Sequence, residues 1–127
     1  MQDRHLFEYA VIRVMPRVER EEFINVGIIL YCAKLKYLKA AFHLETARLK
    51  ALNCELETCV IEDNLKAIVN ISEGGKAAGP IGMLDLASRF RWLTATRSTV
   101  VQCSKVHPGF CVDPEITLNQ LMEELVL

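Results

Sequence analysis

Leu6–Met15 reads LFEYAVIRVM, and Ile24–Cys32 reads INVGIILYC, with PRVEREEF at Pro16–Phe23 between them. The two outer segments are rich in β-branched and aromatic residues and have the length of strands. Pro16 ends the first, because it has no amide hydrogen to give a ladder. The middle segment carries five charges in eight residues and reads as a solvated connection. Along the first strand, Phe7, Tyr9, Val11, Arg13 and Met15 share one face. Leu6, Glu8, Ala10, Ile12 and Val14 share the other. Both faces are largely apolar, which predicts a strand at the centre of a sheet. Tyr37–His43, YLKAAFH, reads as a third strand after a short turn at Ala33–Lys36. Links this short predict an antiparallel meander of the three.

Helical signals take over downstream. Thr46–Leu52, TARLKAL, has good helix formers behind a Glu45 or Thr46 cap. Leu56, Val60, Ala67, Ile68 and Ile71 fall near helical spacing, so Glu57–Ser72 is expected as the main amphipathic helix, ended by Gly74-Gly75. Gly74–Pro80 reads as a loop. Ile81–Leu93 reads as a helix with Leu84, Ala87 and Phe90 on one side. Ser98–Cys103, STVVQC, is expected as a fourth strand and Ser104–Val112 as a loop. Asp113 can cap, Pro114 suits the first helical position, and Glu115 favours the positive helix start. Leu118, Leu121, Met122 and Leu125 follow as a stripe at 0, +3, +4 and +7. The expected fold is α+β, one domain over residues 1–127, with an antiparallel sheet of about four strands and helices packed mainly on one face.

Composition narrows the class. The chain has 127 residues, 51% of them hydrophobic and 24% charged. With a mean hydropathy of +0.19, it is too apolar for a disordered chain. Fifteen Lys and Arg oppose sixteen Asp and Glu, for a net charge of −1. That balance argues against a coat for nucleic acid or anionic membrane. No apolar run reaches the roughly 18 residues of a membrane span. Met1–His5 lacks the apolar run of a secretory leader. Together with the odd count of five cysteines, this points to a reducing cytoplasm and free thiols. Cys103, His107 and Cys111 are spaced C-x3-H-x3-C, but a structural zinc site normally needs four ligands and no fourth is evident. No metal and no cofactor are expected.

Arg13 is the anomaly of the first strand. A buried guanidinium is costly unless it is paired. Glu21, Glu22 and Asn25 are near enough in the sequence to supply that partner. A hairpin that sets Arg13 opposite Gly27 puts Met15 opposite Asn25, and the missing Gly27 side chain leaves room for the arginine. Arg13, Glu22, Asn25 and Gly27 then form an anion-binding or recognition pocket. The plainer reading is an arginine that ties down the charged hairpin loop, since structural ion pairs are common. A second cluster is RFRWLTATRST, where Arg89, Arg91 and Arg97 surround Trp92. Basic residues interleaved with an aromatic can bind phosphate or stack on a base. Equally, Phe90 and Trp92 can face a core while the arginines face water. His107, near Ser104, is a candidate base, but a Ser–His pair needs a third orienting group and an oxyanion hole. No Walker or dinucleotide glycine motif is present, and Gly74-Gly75-Lys76 follows a helix, which is the wrong context for a phosphate loop.

Three stretches together carry a resemblance. They are YAVIRVMPRVEREEFINVGIILYC at Tyr9–Cys32, RFRWLTATRSTVVQ at Arg89–Gln102 and HPGFCVDPE at His107–Glu115. In this order they resemble the bacterial domain-of-unknown-function family numbered three-thousand-thirty-seven. The matching residues are Arg13, Pro16, Glu22, Phe23, Asn25, Gly27, Phe90, Trp92, Leu93, Ser98, His107, Gly109 and Pro114. Cys54–Gly79 matches no motif. The resemblance implies no established activity, substrate or cofactor. It implies a small accessory protein encoded beside a kinase-like protein of the HipA type. The leading expectation is therefore a non-enzymatic intracellular binding protein with a kinase-like partner. One alternative is a nucleic-acid module built on Arg89, Arg91, Trp92 and Arg97. The other is a small hydrolase or transferase using His107 with Ser104, or Arg13 with Glu22 and Asn25. An exposed edge strand or a large apolar patch favours the protein partner.

Overall fold

The computed structural model describes residues 3–52, 55, 57–95, 97 and 99–127. The central strand is β1 (His5–Val14). It pairs antiparallel with β2 (Ile24–Cys32), and β2 pairs antiparallel with β3 (Tyr37–Phe42), as the short links predict. Along the other side of β1 run two short strands in succession. β4 (Val101–Cys103) pairs with Ile12–Val14, and β5 (His107–Cys111) pairs with His5–Tyr9. The sheet is thus five-stranded and antiparallel. The helices are α1 (Thr46–Leu52), α2 (Thr58–Glu73), α3 (Leu86–Thr94) and α4 (Pro114–Leu125). The expected contributions of Leu56, Cys54 and Ser98 lie outside the described residues.

Both faces of β1 are apolar, and both are covered. Ile12, Val14, Val26 and Ile29 pack under Leu49 of α1, Ile61, Leu65 and Ile71 of α2, and Phe90 and Leu93 of α3. Phe7, Val11, Ile28, Leu30 and Cys32 pack on the opposite face against Leu118 and Val126 at α4. Three helices therefore share one face, as expected, while α4 closes the other. A one-sided cover would have left the Phe7–Val11 row in water. Each fully buried Ile, Leu or Val in these layers contributes about 1.5–3 kcal/mol.

α4 starts as its sequence dictates. The Asp113 carboxylate accepts from the Glu115 amide at 2.9 Å, with Pro114 in the first turn. Glu115 then accepts from Tyr37 Oη at 2.5 Å and Lys39 Nζ at 2.8 Å, tying the start of α4 to β3. Those two donors hold the Glu115 carboxyl below the usual range. Ile81–Leu93 is not one helix. A 3₁₀ turn spans Ile81–Met83, and Asp85 begins α3 by accepting from the Ser88 amide at 2.8 Å. An aspartate inside the apparent helix was the cap of a second one.

β5 lies where a loop was expected. Pro108 and Gly109 read as loop residues, yet each is at home on this edge. Proline is tolerated on an edge strand because the missing amide need not serve a ladder. At Gly109 a β-carbon would sit 2.6 Å from Phe7 Cζ, so the ring of its cross-strand partner occupies that space. Between β4 and β5 the ladder is bridged by one residue. The Ser104 amide donates to Val11 O at 2.8 Å, and the Val11 amide donates to Ser104 Oγ at 2.8 Å. A side-chain oxygen replaces the backbone carbonyl that the break removes. At the other edge, the Ala40 amide donates to Ser72 Oγ of α2 at 3.1 Å, which satisfies an outward-facing group of β3.

Ser104→Ala leaves the buried Val11 amide without its acceptor. Urea unfolding is expected to show a loss of about 1–3 kcal/mol.

Candidate functional site

The register between β1 and β2 decides what surrounds Arg13. Ile12 pairs with Gly27, but Arg13 pairs with Asn25, so Val26 is an extra residue on β2. This β-bulge corrects the expected Arg13–Gly27 pairing. Gly27 makes room for other groups: a β-carbon there would lie 2.4 Å from Ala41 O of β3 and 3.1 Å from Ile12 Cδ1. The bulge puts Val26 in the core under α2 and turns Asn25 to the α4 side, beside Arg13. On its other flank Arg13 pairs with Gln102 of β4. Asn25, Arg13 and Gln102 therefore form one polar rung across three strands.

Glu22 does not neutralise Arg13. It lies on the surface and pairs with Arg20. Glu21 takes a left-handed backbone (φ 55°) just after a 3₁₀ turn at Val18–Arg20. The guanidinium of Arg13 instead packs on the Phe23 ring, its carbon 4.0 Å from the ring centroid. Among the described residues it has no ion pair or hydrogen bond. Asn25 Nδ2 donates to Leu125 O at the end of α4, at 3.1 Å. Arg13 Nε, Asn25 Oδ1 and Gln102 Nε2 are buried without partners. Gln102 was missed in the sequence, although a glutamine among the apolar residues of STVVQC is the same kind of anomaly as Arg13. Its pairing with β1 spans a separation that no local pattern encodes.

The three arginines around Trp92 do not form one basic surface. Arg89 is buried, with 8% of its surface exposed. Its Nη1 donates to Ile71 O and Ser72 O at 3.0 and 2.9 Å, and its Nε to Leu84 O at 3.0 Å. It is thus a cationic cap on the carbonyl end of α2. Gly74 (φ 80°) is required beside it, since a β-carbon would stand 2.5 Å from Arg89 Nη1. Arg97 stacks on Trp92 at 4.5 Å and donates to Trp92 O and Leu93 O at the end of α3. Of the three, Arg91 alone is fully exposed.

Trp92 corrects a second expectation. Phe90 faces the core, but Trp92 is 41% exposed and lines an open groove of about 700 Å³. One wall is α2, which presents Val60, Ile61, Ala67, Ile68 and Ile71. The other is Val100 and Val101, with Val18, Glu57, Asn64 and Arg97 also on the lining.

His107 and Ser104 do not assemble as base and nucleophile. The Ser104 hydroxyl accepts from Val11 and donates to Lys105 O at 2.9 Å. His107 is exposed, its ring 5.4 Å from that of Tyr9. Cys103, His107 and Cys111 pair with Ile12, Tyr9 and His5 of β1, which spreads them over steps of about 10 and 13 Å. Among the described residues no three His, Cys, Asp or Glu side chains converge as metal ligands. Cys32, Cys59, Cys103 and Cys111 are free thiols. Burial pushes the Cys103 thiol up to about 11, which keeps it protonated and unreactive near neutrality. Among the described residues no helix is long and apolar enough to cross a membrane.

Residues 9–126 match the family described as "Protein of unknown function (DUF3037)". The chain belongs to this family. No curated protein and no solved structure matches. Several residues of the stretches that carry the resemblance have a physical role in this chain. Gly27 and Gly109 admit close neighbours, Phe23 covers Arg13, and Pro114 opens α4.

The arginines of the second cluster are expected to separate by stability. Arg89→Leu strands three carbonyls and should cost about 2–4 kcal/mol in chemical denaturation, whereas Arg91→Ala should stay within about 0.5 kcal/mol.

Proposed function

We propose that this DUF3037 protein is a non-catalytic binding protein of the cytoplasm, an accessory to a kinase-like protein, and that the groove along α2 receives a helical segment of that partner. The groove is the observation that carries the reading. Glu57, Val60, Asn64, Ala67 and Ile71 recur along α2 at spacings of three and four, the pattern of a helix seam left open to a second helix. From Glu57 to Ile71 the stripe is about 21 Å long, enough for some four turns of an opposing helix. Ala67 lets a backbone approach closely at mid-groove. Trp92 supplies the large rigid aromatic that protein interfaces favour. Glu57, Asn64 and Arg97 provide polar contacts to set register.

The competing chemistries draw less support. A nucleic-acid surface keeps one freely exposed arginine of its three, on a chain of net charge −1. A Ser–His hydrolase needs a hydroxyl that the β-ladder already uses. The kinase-like identity of the partner rests on the family resemblance.

The test is co-purification and calorimetry with the kinase-like protein encoded beside this chain. Ala67 is exposed, so Ala67→Arg fills the groove without touching the core. It is expected to weaken the complex at least about tenfold. Equal affinity for wild type and variant, or no complex with wild type, would overturn the proposal.

A further inference from the structure

We propose that β5 is a dimerisation edge, and that a second copy of this chain pairs with it antiparallel about a twofold axis at Phe110. β5 borders the His5–Tyr9 end of β1, whereas the groove along α2 opens beside Val100 and Val101, next to the Val14 end. The inference therefore stands or falls independently of the partner reading.

The direction of the backbone groups comes first. The amide and the carbonyl of Val11 both point to the β4–β5 side, where they bond Ser104. Such groups alternate sides along a strand, so those of Tyr9, Phe7 and His5 point the same way, toward their ladder partners His107, Gly109 and Cys111. Leu6 O points the other way and accepts from Cys32 Sγ at 3.5 Å. On β5 the inward residues are thus His107, Gly109 and Cys111, and the outward ones are Pro108 and Phe110. Pro108 stands where a missing amide costs the existing ladder nothing. Phe110 presents both an amide and a carbonyl at the edge, a template for another strand. Among the described residues β5 pairs with β1 and with no other strand.

The side chains at this edge are apolar. Phe110 is 68% exposed, and Leu6, directly opposite it on β1, is 54% exposed. Both lie on the face of Ile12 and Val14 but beyond the helices that cover those residues. Val112 and Ile116, also exposed, adjoin Phe110 around a depression at the end of the strand. Contiguous apolar surface of this kind marks an interaction site.

The order of charges selects the occupant. Lys105 and His107 precede Phe110, and Asp113 and Glu115 follow it. An antiparallel twofold sets each residue before Phe110 against the one equally far behind it on the second copy. His107 then faces the second copy's Asp113, and the same pair forms again across the axis. Parallel pairing would instead set like charges together, which is unfavourable. Pro108 falls opposite the second copy's Val112. It has no amide to give there, but this is the end of the ladder, where the chain turns into α4. At the axis the two Phe110 residues exchange amide and carbonyl, and their rings lie side by side between the two Leu6 side chains. The paired edge is small, near the lower bound of about 1,200 Å² for specific interfaces, so the dimer is micromolar rather than nanomolar.

The experiment is sedimentation velocity of the full chain alone, from about 1 μM to about 1 mM. A monomer–dimer equilibrium is expected, with a Kd on the order of 10 μM. Amide hydrogen exchange read by NMR locates the interface. Protection of the outward Phe110 amide should rise at least about tenfold as the dimer forms, while that of the inward Gly109 amide changes less. Phe110→Lys alters an exposed side chain, so circular dichroism should stay unchanged while dimerisation weakens at least about tenfold. His107→Asp should weaken it several-fold, and His107→Lys should leave it equal or tighter. A chain that stays monomeric throughout, a dimer whose Phe110 amide exchanges as fast as in the monomer, or equal dimerisation by Phe110→Lys and wild type would each overturn the proposal. So would identical effects of the two His107 substitutions, or a different protein seated on β5 of a monomeric chain.

Discussion

One extra residue in the β1–β2 ladder determines the character of the sheet. With Val26 bulged, the strand keeps Val26 and Ile24 on the helix-rich face and delivers Asn25 to the other. Without the bulge, strict alternation along β2 would put Asn25 on the same side as Gly27 and Ile29, under α2. An amide would then be buried in the larger core, and Arg13 would lose the neighbour that completes its rung. The same step lets Gly27 meet Ile12 and the β3 backbone closely, which is why a side chain cannot be accommodated there. Core packing and polar placement are two results of one local irregularity.

Three arginines of this chain show the same side chain used in two ways. Arg89 is consumed by the carbonyl end of α2, and Arg97 by that of α3. Both act where unpaired carbonyls and the negative end of a helix gather partial charge. Arg13 has no such carbonyls to serve and rests on an aromatic ring between two amides. A sequence shows three arginines in basic or apolar settings. The fold separates those that finish a helix from the one with donors left over.

The sheet edges follow the same economy of polar groups. Ser104 and Ser72 each lend a hydroxyl to the amide of a strand residue, one bridging the break between β4 and β5, the other closing the β3 edge. Both serines are buried, and neither is free to act as a nucleophile. This removes the chemistry that the proximity of Ser104 and His107 in the sequence invited.

Local periodicity and punctuation were enough to place β1, β2, β3, α1, α2 and α4 to within a residue or so, because alternation, helical spacing, capping aspartate and paired glycines act over a few neighbouring positions. The two apolar faces of LFEYAVIRVM likewise declared a central strand before any contact was known. The family, too, was legible, since its motifs are runs of sequence. What needed the tertiary structure was everything set by residues far apart in the chain. Strand β5 was hidden because Pro108 and Gly109 are acceptable only on that edge and against Phe7. The bulge at Val26 was hidden because register is chosen by how two faces pack, and Gln102 could join Arg13 only after the chain had returned across almost ninety residues. Side chains identify themselves by type in a sequence, but which donor meets which acceptor is a property of the packed sheet.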